Sequence, residues 1–533
     1  MPLKQHHAVS LSRLVALLSV LSVLLLSACG SHSTIDLRRE PAPGTLAKSS
    51  DWTIASPPGQ PRPPFQFNTD DDRFLEEIEH ASFLYLWTAC DDATGMVRDR
   101  TSTTMISVAG VGFQLAAIPA AVSRGWITQE QGRDRSLLIL RALESNPSNR
   151  KSGLFYHFLE PGTAAPMNND AVSTIDSAIL FAGILVSGER FGGEVRERAA
   201  RLFAAADWSF FVIHQPRKNE PYLKGFISLG WKPKSFQDPT GDGALLPYAW
   251  ADAGDEQRLV CFLAAAAPVY AHRVDPSIYY RLRRMLGDHN GSGVHVWFPW
   301  SGALFTHFFA HCFIDYAQQG PDNPGAHGAT HRPSVDWWEN SRRAVNFHRT
   351  KAIEDGATNP AFSANAWGLS ACDCPTGYCV PGIYPTRIAT SDQIPQVDFA
   401  DFSPKDDLGD GTIAPYAAAC SLMFDPAPSL AALRNYRNLK LPSGEPIVWR
   451  APSLASNGSQ TSGSQNSDQQ NFGFRDSFNI SKGWTAPDCV AIDQGPLVLA
   501  LENARSGLIW RLFNGSPEAR AAAARLGWAI APK

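Results

Sequence analysis

The 533-residue sequence has no lysine- or arginine-rich run and no strong excess of either charge. Lysine and arginine number 47 against 51 aspartates and glutamates, a formal net charge of -4 at pH 7. Nucleic acids are bound mainly through clustered basic side chains, so we expect no nucleic acid as a partner. With 44% hydrophobic and 18% charged residues, the chain has the composition of a globular protein with a large core.

The N-terminal apolar run is too short for a comfortable membrane span. Lys4 and Arg13 precede LVALLSVLSVLLL, which ends in LSACG and predicts a secretory signal peptide over residues 1–28. Leu26–Cys29 resembles a bacterial lipobox, in which the cysteine is lipidated and becomes the first mature residue. Since no aspartate follows Cys29, we expect an outer-membrane anchor facing the periplasm or the exterior, with the lipid as the sole membrane contact. A buried apolar helix is the alternative.

Two segments lack the periodicity of folded elements. Residues 29–68 are rich in Pro, Ser and Gly, a composition typical of a tether. The run SNGSQTSGSQNSDQQ at residues 456–470 predicts a disordered surface loop. The rest of 69–533 is predicted to form one folded domain.

Strand-like runs are short and few, whereas helical periodicity recurs throughout the predicted domain. About a dozen segments are apolar at three- and four-residue steps and are separated by Gly, Pro or Asn. They show no short repeat of the kind that builds a solenoid. We therefore predict an all-α fold in which helix hairpins close into a ring, the (α/α)6 toroid, with short irregular loops. Ligand sites in such rings lie at one end, on the loops between helices.

Nine cysteines are present, of which lipidation of Cys29 leaves eight. In an oxidising compartment the cluster CDCPTGYC, Cys372–Cys379, predicts a disulfide-closed loop. A zinc knuckle is the alternative, although no histidine lies beside the cluster at ligand spacing. Cys261, Cys312 and Cys420 lie in apolar helical runs and are predicted to be buried thiols.

Fifteen tryptophans are a high count, and several lie in predicted loops beside acidic residues. Trp250 in YAWADAGDE and Trp367 in ANAWGLSACD are examples. A tryptophan on a loop presents a flat apolar face with one N–H donor, which suits the CH face of a sugar ring. Core packing is the alternative for each single tryptophan.

A series of motifs occurs in the order found in the bacterial glycoamylase-like domain family. The motifs are VSTIDSAILFAGIL, LGWKP, SGALFTHFFAHCFIDY, WWENSRRA, ANAWGLSACD, GDGTIAPYAAACSL, GFRDSF and AIDQGPLVLALENARSGLIWRLF. The chain resembles this family from about Asp70 to Leu526. The resemblance implies an (α/α)6 catalytic domain over 69–533 that cleaves a β-glucan, β-1,2-linked glucan being favoured because characterised members include inverting β-1,2-glucan hydrolases. It implies an oligo- or polysaccharide as the bound partner, and no cofactor.

An inverting glycosidase needs two carboxyl groups across the scissile bond, one as acid and one as base. The resemblance assigns Glu256, in the first turn of a predicted helix, as the general acid. A capping-box role is the alternative. Asp176 is our candidate base, because a carboxylate inside an apolar helix is costly unless something compensates it. A structural salt bridge could be that compensation, and Asp476 in GFRDSF is the reserve base and a candidate substrate contact.

Two further aspartates are candidate substrate contacts, and one position departs from the family pattern. Asp373 lies in the ANAWGLSACD motif, and Asp493 in AIDQGP matches the C-terminal signature, although an N-cap role fits Asp493 equally well. Relatives often carry S-E-N-x-W-G where this chain has Ser363–Gly368 with Ala364 in place of the glutamate. The alternative function is therefore a glucan-binding lipoprotein of the same fold without turnover.

His307, His311 and Asp315 recur every four residues in the apolar run GALFTHFFAHCFIDYA. On one continuous helix this spacing places all three side chains on one face. Zinc metalloproteases carry H-E-x-x-H, but Phe308 occupies the position of the glutamate, so no metal is predicted. The resemblance assigns the three residues to sugar contacts, while a buried structural network and a metal site remain as alternatives.

Overall fold

The structure is a computed structural model that describes residues 53–216, 218, 223–288, 295–299, 302–330, 332–383, 387–390, 400–401, 409–441, 443–452 and 471–528. The predicted signal peptide, Cys29, much of the predicted tether and the predicted loop at 456–470 lie outside these residues. Among the helices of the described ranges, none combines the length and apolar character that a membrane crossing needs.

Helices dominate the described part of the chain. They are α1 (Thr69–Thr88), α2 (Val108–Arg124), α3 (Gln129–Ser145), α4 (Thr174–Phe191), α5 (Gly193–Ala204), α6 (Asp255–Ala266), α7 (Ser277–Arg281), α8 (Tyr316–Gln319), α9 (Trp337–Asp355), α10 (Pro415–Cys420), α11 (Pro426–Asn438), α12 (Ala491–Arg505), α13 (Leu508–Gly515) and α14 (Pro517–Arg525). From α1 to α6, helices that keep an exposed face alternate with helices that are buried nearly all round.

The inner helices are buried nearly all round, whereas the outer helices bury one face. In α2, α4 and α12 almost every residue is buried, while α1, α3 and α11 keep an exposed polar side. Helix α2 packs on α4 and α12, α4 packs on α6, and α10 packs on α12. The segment 304–312 lies between α6 and α12, and the Phe308 ring centroid lies 5.8 Å from that of Tyr416 in α10. These contacts close the ring and confirm the predicted (α/α)6 toroid.

Two glycines set the closest approach within the ring, between α2 and α4. A Cβ atom on Gly183 would lie 1.9 Å from the carbonyl oxygen of Gly112, and one on Gly112 would lie 2.4 Å from the carbonyl oxygen of Ile179. Because backbone atoms cannot move aside as a flexible side chain can, only glycine fits at either position. The contact between these inner helices is therefore backbone on backbone.

Seventeen short strands form small sheets on the connections between described helices. They are β1 (Ile106–Ser107), β2 (Arg150–Lys151), β3 (Leu154–Phe155), β4 (Phe158–Leu159), β5 (Val172–Ser173), β6 (Gly230–Ser235), β7 (Asp238–Leu245), β8 (Met285–Asp288), β9 (His295–Phe298), β10 (Cys372–Cys374), β11 (Gly377–Cys379), β12 (Arg387–Thr390), β13 (Ala400–Asp401), β14 (Trp449–Arg450), β15 (Gly473–Phe474), β16 (Phe478–Asn479) and β17 (Trp484–Thr485). The sheets contain two to four strands and are antiparallel, in the orders β5-β6-β7 and β13-β12-β8-β9 for the two largest. The expectation of purely irregular loops is therefore wrong.

The prediction of one helix over residues 302–317 is also wrong. The segment forms two 3-10 turns, Leu304–His307 and Ala310–Cys312, before α8. The backbone N–H of His311, which an α-helix would donate to the carbonyl of His307, donates instead to Asp255 Oδ2 at 3.1 Å. A buried acceptor on a neighbouring helix thus replaces an internal helical bond, and the four-residue spacing does not place the three side chains on one face.

The cysteine predictions agree with the structure where it describes them. Cys374 and Cys379 form a disulfide across the β10–β11 hairpin, while Cys372 is a free buried thiol. Cys261, Cys312 and Cys420 are free and buried. The disulfide closes the loop that the sequence CDCPTGYC predicts.

We expect Gly183→Ala to lower the free energy of unfolding by about 3 kcal/mol, because its methyl group would force α2 and α4 apart. In an unconstrained helix interior the same change stabilises by up to about 1 kcal/mol, so the sign itself is informative. Gly188→Ala in the same helix is the control, since its nearest neighbours would be the Ala199 Cβ at 3.1 Å and Arg196 atoms at 3.4 Å and beyond, with no backbone atom as close as at Gly183. Chemical denaturation measures both variants. Equal stability of the two would contradict the backbone contact.

Candidate active site

Three of the carboxyl groups that the sequence singles out lie in the first turns of inner helices. Helix α4 begins after Ser173, and Asp176 is its third residue. Glu256 is the second residue of α6, and Asp493 is the third residue of α12. The charge of Asp176 acts on Glu256, and the charges of Glu256 and Asp493 both act on Tyr378, so these helix starts lie near one another at one end of the toroid. This is the end at which the sequence places a ligand site.

Asp255, the residue before Glu256, is a fixed and fully buried anion. Its Oδ2 lies 2.7 Å from His311 Nδ1, and its Oδ1 forms an ion pair with Arg258. The Arg258 guanidinium also stacks on the Trp337 ring, with 3.9 Å between its central carbon and the ring centroid. Burial acts to raise the pKa of Asp255, but the charges of His311 and Arg258 hold that pKa at about 2. The network therefore fixes both the charge and the start of α6.

Glu256, in contrast, is a partly exposed carboxyl group, and among the described residues no cation offsets the burial and negative charges that act on it. Burial first, and then the negative charges of Asp176 and Asp255, raise the pKa of Glu256 to about 8. The pKa values of these two adjacent acids therefore differ widely. Near neutral pH Asp255 is ionised and Glu256 is protonated. A glutamic acid that holds its proton at neutral pH beside accessible space has the state that a general acid needs.

Asp176 is held at the start of α4 by two polar neighbours. The hydroxyl of Ser173 donates to Asp176 Oδ2, and the Asp176 N–H donates to Ser173 Oγ at 3.3 Å. His157 Nε2 lies 3.6 Å from Asp176 Oδ1. Burial acts against protonation of His157, but the charges of Asp176, Asp170 and Asp99 raise its pKa above the ordinary value. The partner of Asp176 is therefore a histidine that gains charge readily, which is weaker compensation than a permanent salt bridge.

Asp476 and Asp493 form a buried carboxyl pair. They share a hydrogen bond, and burial raises the pKa of Asp476 to about 6 while burial and the charge of Asp476 raise that of Asp493 well above its ordinary range. Two carboxylates so close cannot both ionise, so the pair holds one proton near neutral pH. The N-cap of α12 is Val490, so the N-cap alternative for Asp493 is wrong.

Arg100 connects this pair to the neighbouring loops. Its guanidinium lies 2.9 Å from Asp373 Oδ2, 3.2 Å from Asp99 Oδ2 and 3.8 Å from Asp488 Oδ2. The Asp373 N–H in turn donates to Asp476 Oδ2 at 2.7 Å. The structure thus brings Asp373, Asp476 and Asp493 together and places Arg100, a cation that the sequence alone did not single out, beside Asp373.

Both tryptophans predicted as sugar contacts belong to the core. The Trp250 side chain is 5% exposed, and its indole N–H donates to Thr174 Oγ1 at 2.7 Å, beside the start of α4. Trp367 is fully buried, and its backbone N–H donates to the Tyr436 hydroxyl at 3.0 Å. Neither ring offers a face to a ligand in this structure, so the core alternative applies to both.

The His307, His311 and Asp315 side chains separate into three environments. His311 is 1% exposed and bound to Asp255, which is the buried structural network that the sequence left open. His307 is buried, with a pKa lowered to about 3 chiefly by burial, and it lines a small cavity with His348. Asp315 is the N-cap of α8, where it accepts from Gln318 N–H at 3.1 Å. In this structure they do not form a shared sugar or metal site.

We call the region around Asp176, Glu256, Asp373, Asp476 and Asp493 the acidic site. Sequence reasoning missed several of its other residues. Arg100, His157 and Asp255 have no motif of their own, and their roles come from partners far away in the sequence. Tyr378, opposite Asp373 in the β10–β11 hairpin, was also missed. The flanking cysteines were the available signal, since a loop closed by a disulfide holds the residues inside it in one position.

Among the described residues, three thiol positions could in principle ligate a metal. The sulfur atoms of Cys372, Cys374 and Cys379 lie within 4.8 Å of one another. Two of them are joined in the disulfide, however, and a disulfide sulfur is not a thiolate ligand. Arg100 is the cation that pairs with Asp99, Asp373 and Asp488 beside the acidic site.

Comparison with known proteins places this geometry in a family. Residues 247–449 and 457–517 match the Glycoamylase family model, described as "Putative glucoamylase". The matched ranges include Glu256, Asp373, Asp476 and Asp493, while Asp176 precedes them. A curated relative, the exo β-1,2-glucooligosaccharide sophorohydrolase (non-reducing end) of Parabacteroides distasonis, is 24% identical over 485 residues and 84% of this chain. The chain spans 57% of that relative's length.

Solved structures share the toroid. An endo-β-1,2-glucanase from Chitinophaga pinensis, determined with sophorotriose and glucose, superposes with a TM-score of 0.64 at 22% identity, covering 86% of this chain and 99% of the other. A β-1,2-glucanase from Parabacteroides distasonis gives a TM-score of 0.62 at 21% identity, over 86% of this chain and 60% of the other. At these identities the comparison shows a common fold.

The raised pKa of Glu256 predicts a pH-dependent stability difference for Glu256→Gln. In the unfolded chain a glutamate ionises near pH 4.5, whereas the folded chain holds this proton up to about pH 8, so the parent loses stability as pH rises between these values. Glutamine cannot ionise and avoids this loss. We expect the melting temperature of the variant, relative to the parent, to rise from pH 5 to pH 8. Glu445→Gln on an exposed loop is the control and should show a constant difference. A flat profile for both variants would contradict the shifted pKa.

Proposed function

Because the chain belongs to the glycoamylase-like family, we propose that it is a glycoside hydrolase that cleaves β-glucan, with β-1,2-linked glucan as its substrate. The observation that carries the proposal is Glu256, a partly exposed acid with a pKa near 8 beside the ionised Asp255. Protonation of a glycosidic oxygen at neutral pH requires such a group. The names of the relatives, which act on β-1,2-glucans, support the choice of linkage.

In the proposed inverting reaction, Glu256 donates its proton to the glycosidic oxygen as the bond to the anomeric carbon breaks. A water molecule attacks that carbon from the opposite face, and a carboxylate takes its proton. The leaving sugar departs as an alcohol, and Glu256 is left ionised until it regains a proton. Asp255 stays ionised throughout, and its negative charge helps keep the proton on Glu256 before the reaction.

Asp176 is the proposed base, and the Asp476–Asp493 pair is the reserve. Asp176 is close enough to Glu256 for its charge to raise the Glu256 pKa, and His157 Nε2 lies 3.6 Å from Asp176 Oδ1. The pair holds one proton between two carboxyls, so it also offers one ionised group near neutral pH. Removing the side chain of the true base should leave a cavity that a small anion can fill. Rescue by such an anion therefore distinguishes Asp176 from the carboxyl pair as the base.

Hydrolysis of purified β-1,2-glucan by the soluble form, beginning after Ser31, is the first test. We expect release of reducing ends from β-1,2-glucan, loss of more than about 100-fold in kcat for Glu256→Gln, and a fall in kcat/KM above about pH 8 as Glu256 ionises. Glu445→Gln should match the parent. Release of reducing ends from starch but from no β-glucan would contradict the proposed substrate. Full activity of Glu256→Gln would contradict the assignment of Glu256 as the general acid.

Two further measurements test the mechanism. Proton NMR of the first products should show the α-anomer at the new reducing end, because inversion changes the configuration of a β-linkage. Azide should restore turnover to Asp176→Ala but not to Asp493→Ala, and should yield an α-glycosyl azide. A β-anomer as first product would contradict inversion. Rescue of Asp493→Ala alone would move the base to the carboxyl pair.

A second candidate function is glucan capture without turnover, and the residue at position 364 favours it. Ala364 stands where relatives carry a glutamate, and its only named polar contact is its carbonyl, which accepts from Arg349 Nε at 3.3 Å. A carboxylate that could contact substrate is therefore missing. Glucan binding by the parent with no reducing-end release would favour this function, whereas turnover that depends on Glu256 would exclude it.

The proposed place of action is the cell envelope, with the chain anchored by a lipid on Cys29. Support comes from the sequence LSACG after an apolar run and from the tether composition of the residues that follow. We expect radiolabelled palmitate to enter the full chain in a bacterial host, and Cys29→Ser to abolish both labelling and recovery in the membrane fraction. Cys261→Ser is the control. Membrane recovery that survives Cys29→Ser would contradict lipid anchoring.

A further inference from the structure

The β10–β11 hairpin has two chemically different faces. Its register pairs Cys372 with Cys379, Asp373 with Tyr378, and Cys374 with Gly377. Successive side chains of a strand point to opposite faces, and directly paired residues share a face. The three cysteines therefore occupy one face, which the disulfide closes, and Asp373 and Tyr378 occupy the other.

The backbone of β10 is held beside Asp476, and the Asp373 side chain on the second face reaches Arg100. The Asp373 N–H donates to Asp476 Oδ2 at 2.7 Å, and its carbonyl accepts from Ser477 Oγ at 2.6 Å. The Asp373 carboxylate lies 2.9 Å from Arg100. Because the register fixes Tyr378 beside Asp373, the tyrosine is carried to the same place.

Tyr378 differs from the tryptophans that the sequence suggested as sugar contacts. Its side chain is 45% exposed, one of the few large apolar side chains of the described residues that reach solvent. Burial of its hydroxyl group, followed by the charges of Cys372, Asp493 and Glu256, raises the pKa of Tyr378 above its ordinary value. The phenol is thus a neutral donor at physiological pH, close to the proposed acid, with a ring that is open to a ligand.

We propose that Tyr378 contacts the sugar bound beside Glu256, its ring packing on the CH face of the pyranose and its hydroxyl donating to a sugar oxygen. This inference rests on the proposed glucan-cleaving function. An exposed aromatic ring is poorly placed for the core but well placed for an amphipathic ligand. The disulfide Cys374–Cys379 holds the ring in position before substrate arrives, which lowers the ordering cost of binding.

Binding of a β-1,2-glucan oligosaccharide to Glu256→Gln tests the contact without turnover. In that background we expect Tyr378→Ala to weaken the affinity, measured by calorimetry, by about 10-fold or more, and Tyr378→Phe by about 3-fold. Tyr270→Ala is the matched control, since Tyr270 is 85% exposed and packs on Arg273 rather than at the acidic site. Affinity of Tyr378→Ala within twofold of the Tyr270→Ala control would overturn the inference.

Turnover separates this inference from the proposed function. If the parent hydrolyses the glucan through Glu256 and Tyr378→Ala leaves KM and kcat unchanged, the contact is wrong and the function stands. If the parent binds but does not hydrolyse, and binding still depends on Tyr378, the contact stands and the hydrolase is wrong. Absence of any glucan binding by the parent would overturn both.

The role of the disulfide is measured by the energetic coupling between the disulfide and Tyr378 in glucan binding. In a chain carrying Cys374→Ser and Cys379→Ser, the loss of affinity caused by Tyr378→Ala should be smaller than in the parent, because the ring is no longer held in place. Cys372→Ser alone keeps the disulfide and should leave that loss unchanged. Equal losses in all backgrounds would show that the disulfide does not position Tyr378.

Discussion

Closing a ring of helices forces its inner helices into close contact. Between α2 and α4 the distance is so short that backbone packs on backbone. At Gly112 and Gly183 the two backbones touch, which leaves no volume for a side chain. Inner helices packed this tightly are surrounded by apolar neighbours along their length, so polar residues can reach water only at their ends. The carboxyl groups of Asp176, Glu256 and Asp493 all lie in such first turns. The position of the site is therefore a consequence of the packing.

Burial at a helix start does not by itself decide the charge of a carboxyl group. Asp255 and Glu256 are neighbours in one turn, yet the pKa of the first is held at about 2 and that of the second rises to about 8. Burial acts on both in the same direction. Only Asp255 has His311 and Arg258 as partners, and its own negative charge then adds to the destabilisation of ionised Glu256. One ion network thus creates a fixed anion and a proton donor side by side.

The sequence predicts the fold more successfully than the side-chain contacts. Long apolar helices such as α2, α4 and α12 are visible because continuous burial leaves a continuous apolar run. The segment around His311 also has helical spacing. Spacing cannot reveal, however, that the His311 N–H will donate to Asp255 instead of to a carbonyl one helical turn earlier. Trp250 and Trp367 could not be separated from exposed tryptophans for the same reason, since burial depends on neighbours distant in the sequence.

The acidic residues illustrate what a motif can and cannot specify. The resemblance named Asp373, Asp476 and Asp493 as separate candidate contacts and named no counter-charge, although three carboxyls together are unstable without one. The structure pairs Arg100 with Asp373, while burial and neighbouring carboxylates raise the pKa values of Asp476 and Asp493. Asp176 and Glu256 have no permanent cation among their named neighbours, only His157 beside Asp176. Burial and the charges of Asp176 and Asp255 keep the proton on Glu256, whereas His311 and Arg258 keep Asp255 ionised, and acid–base chemistry requires a group of the first kind.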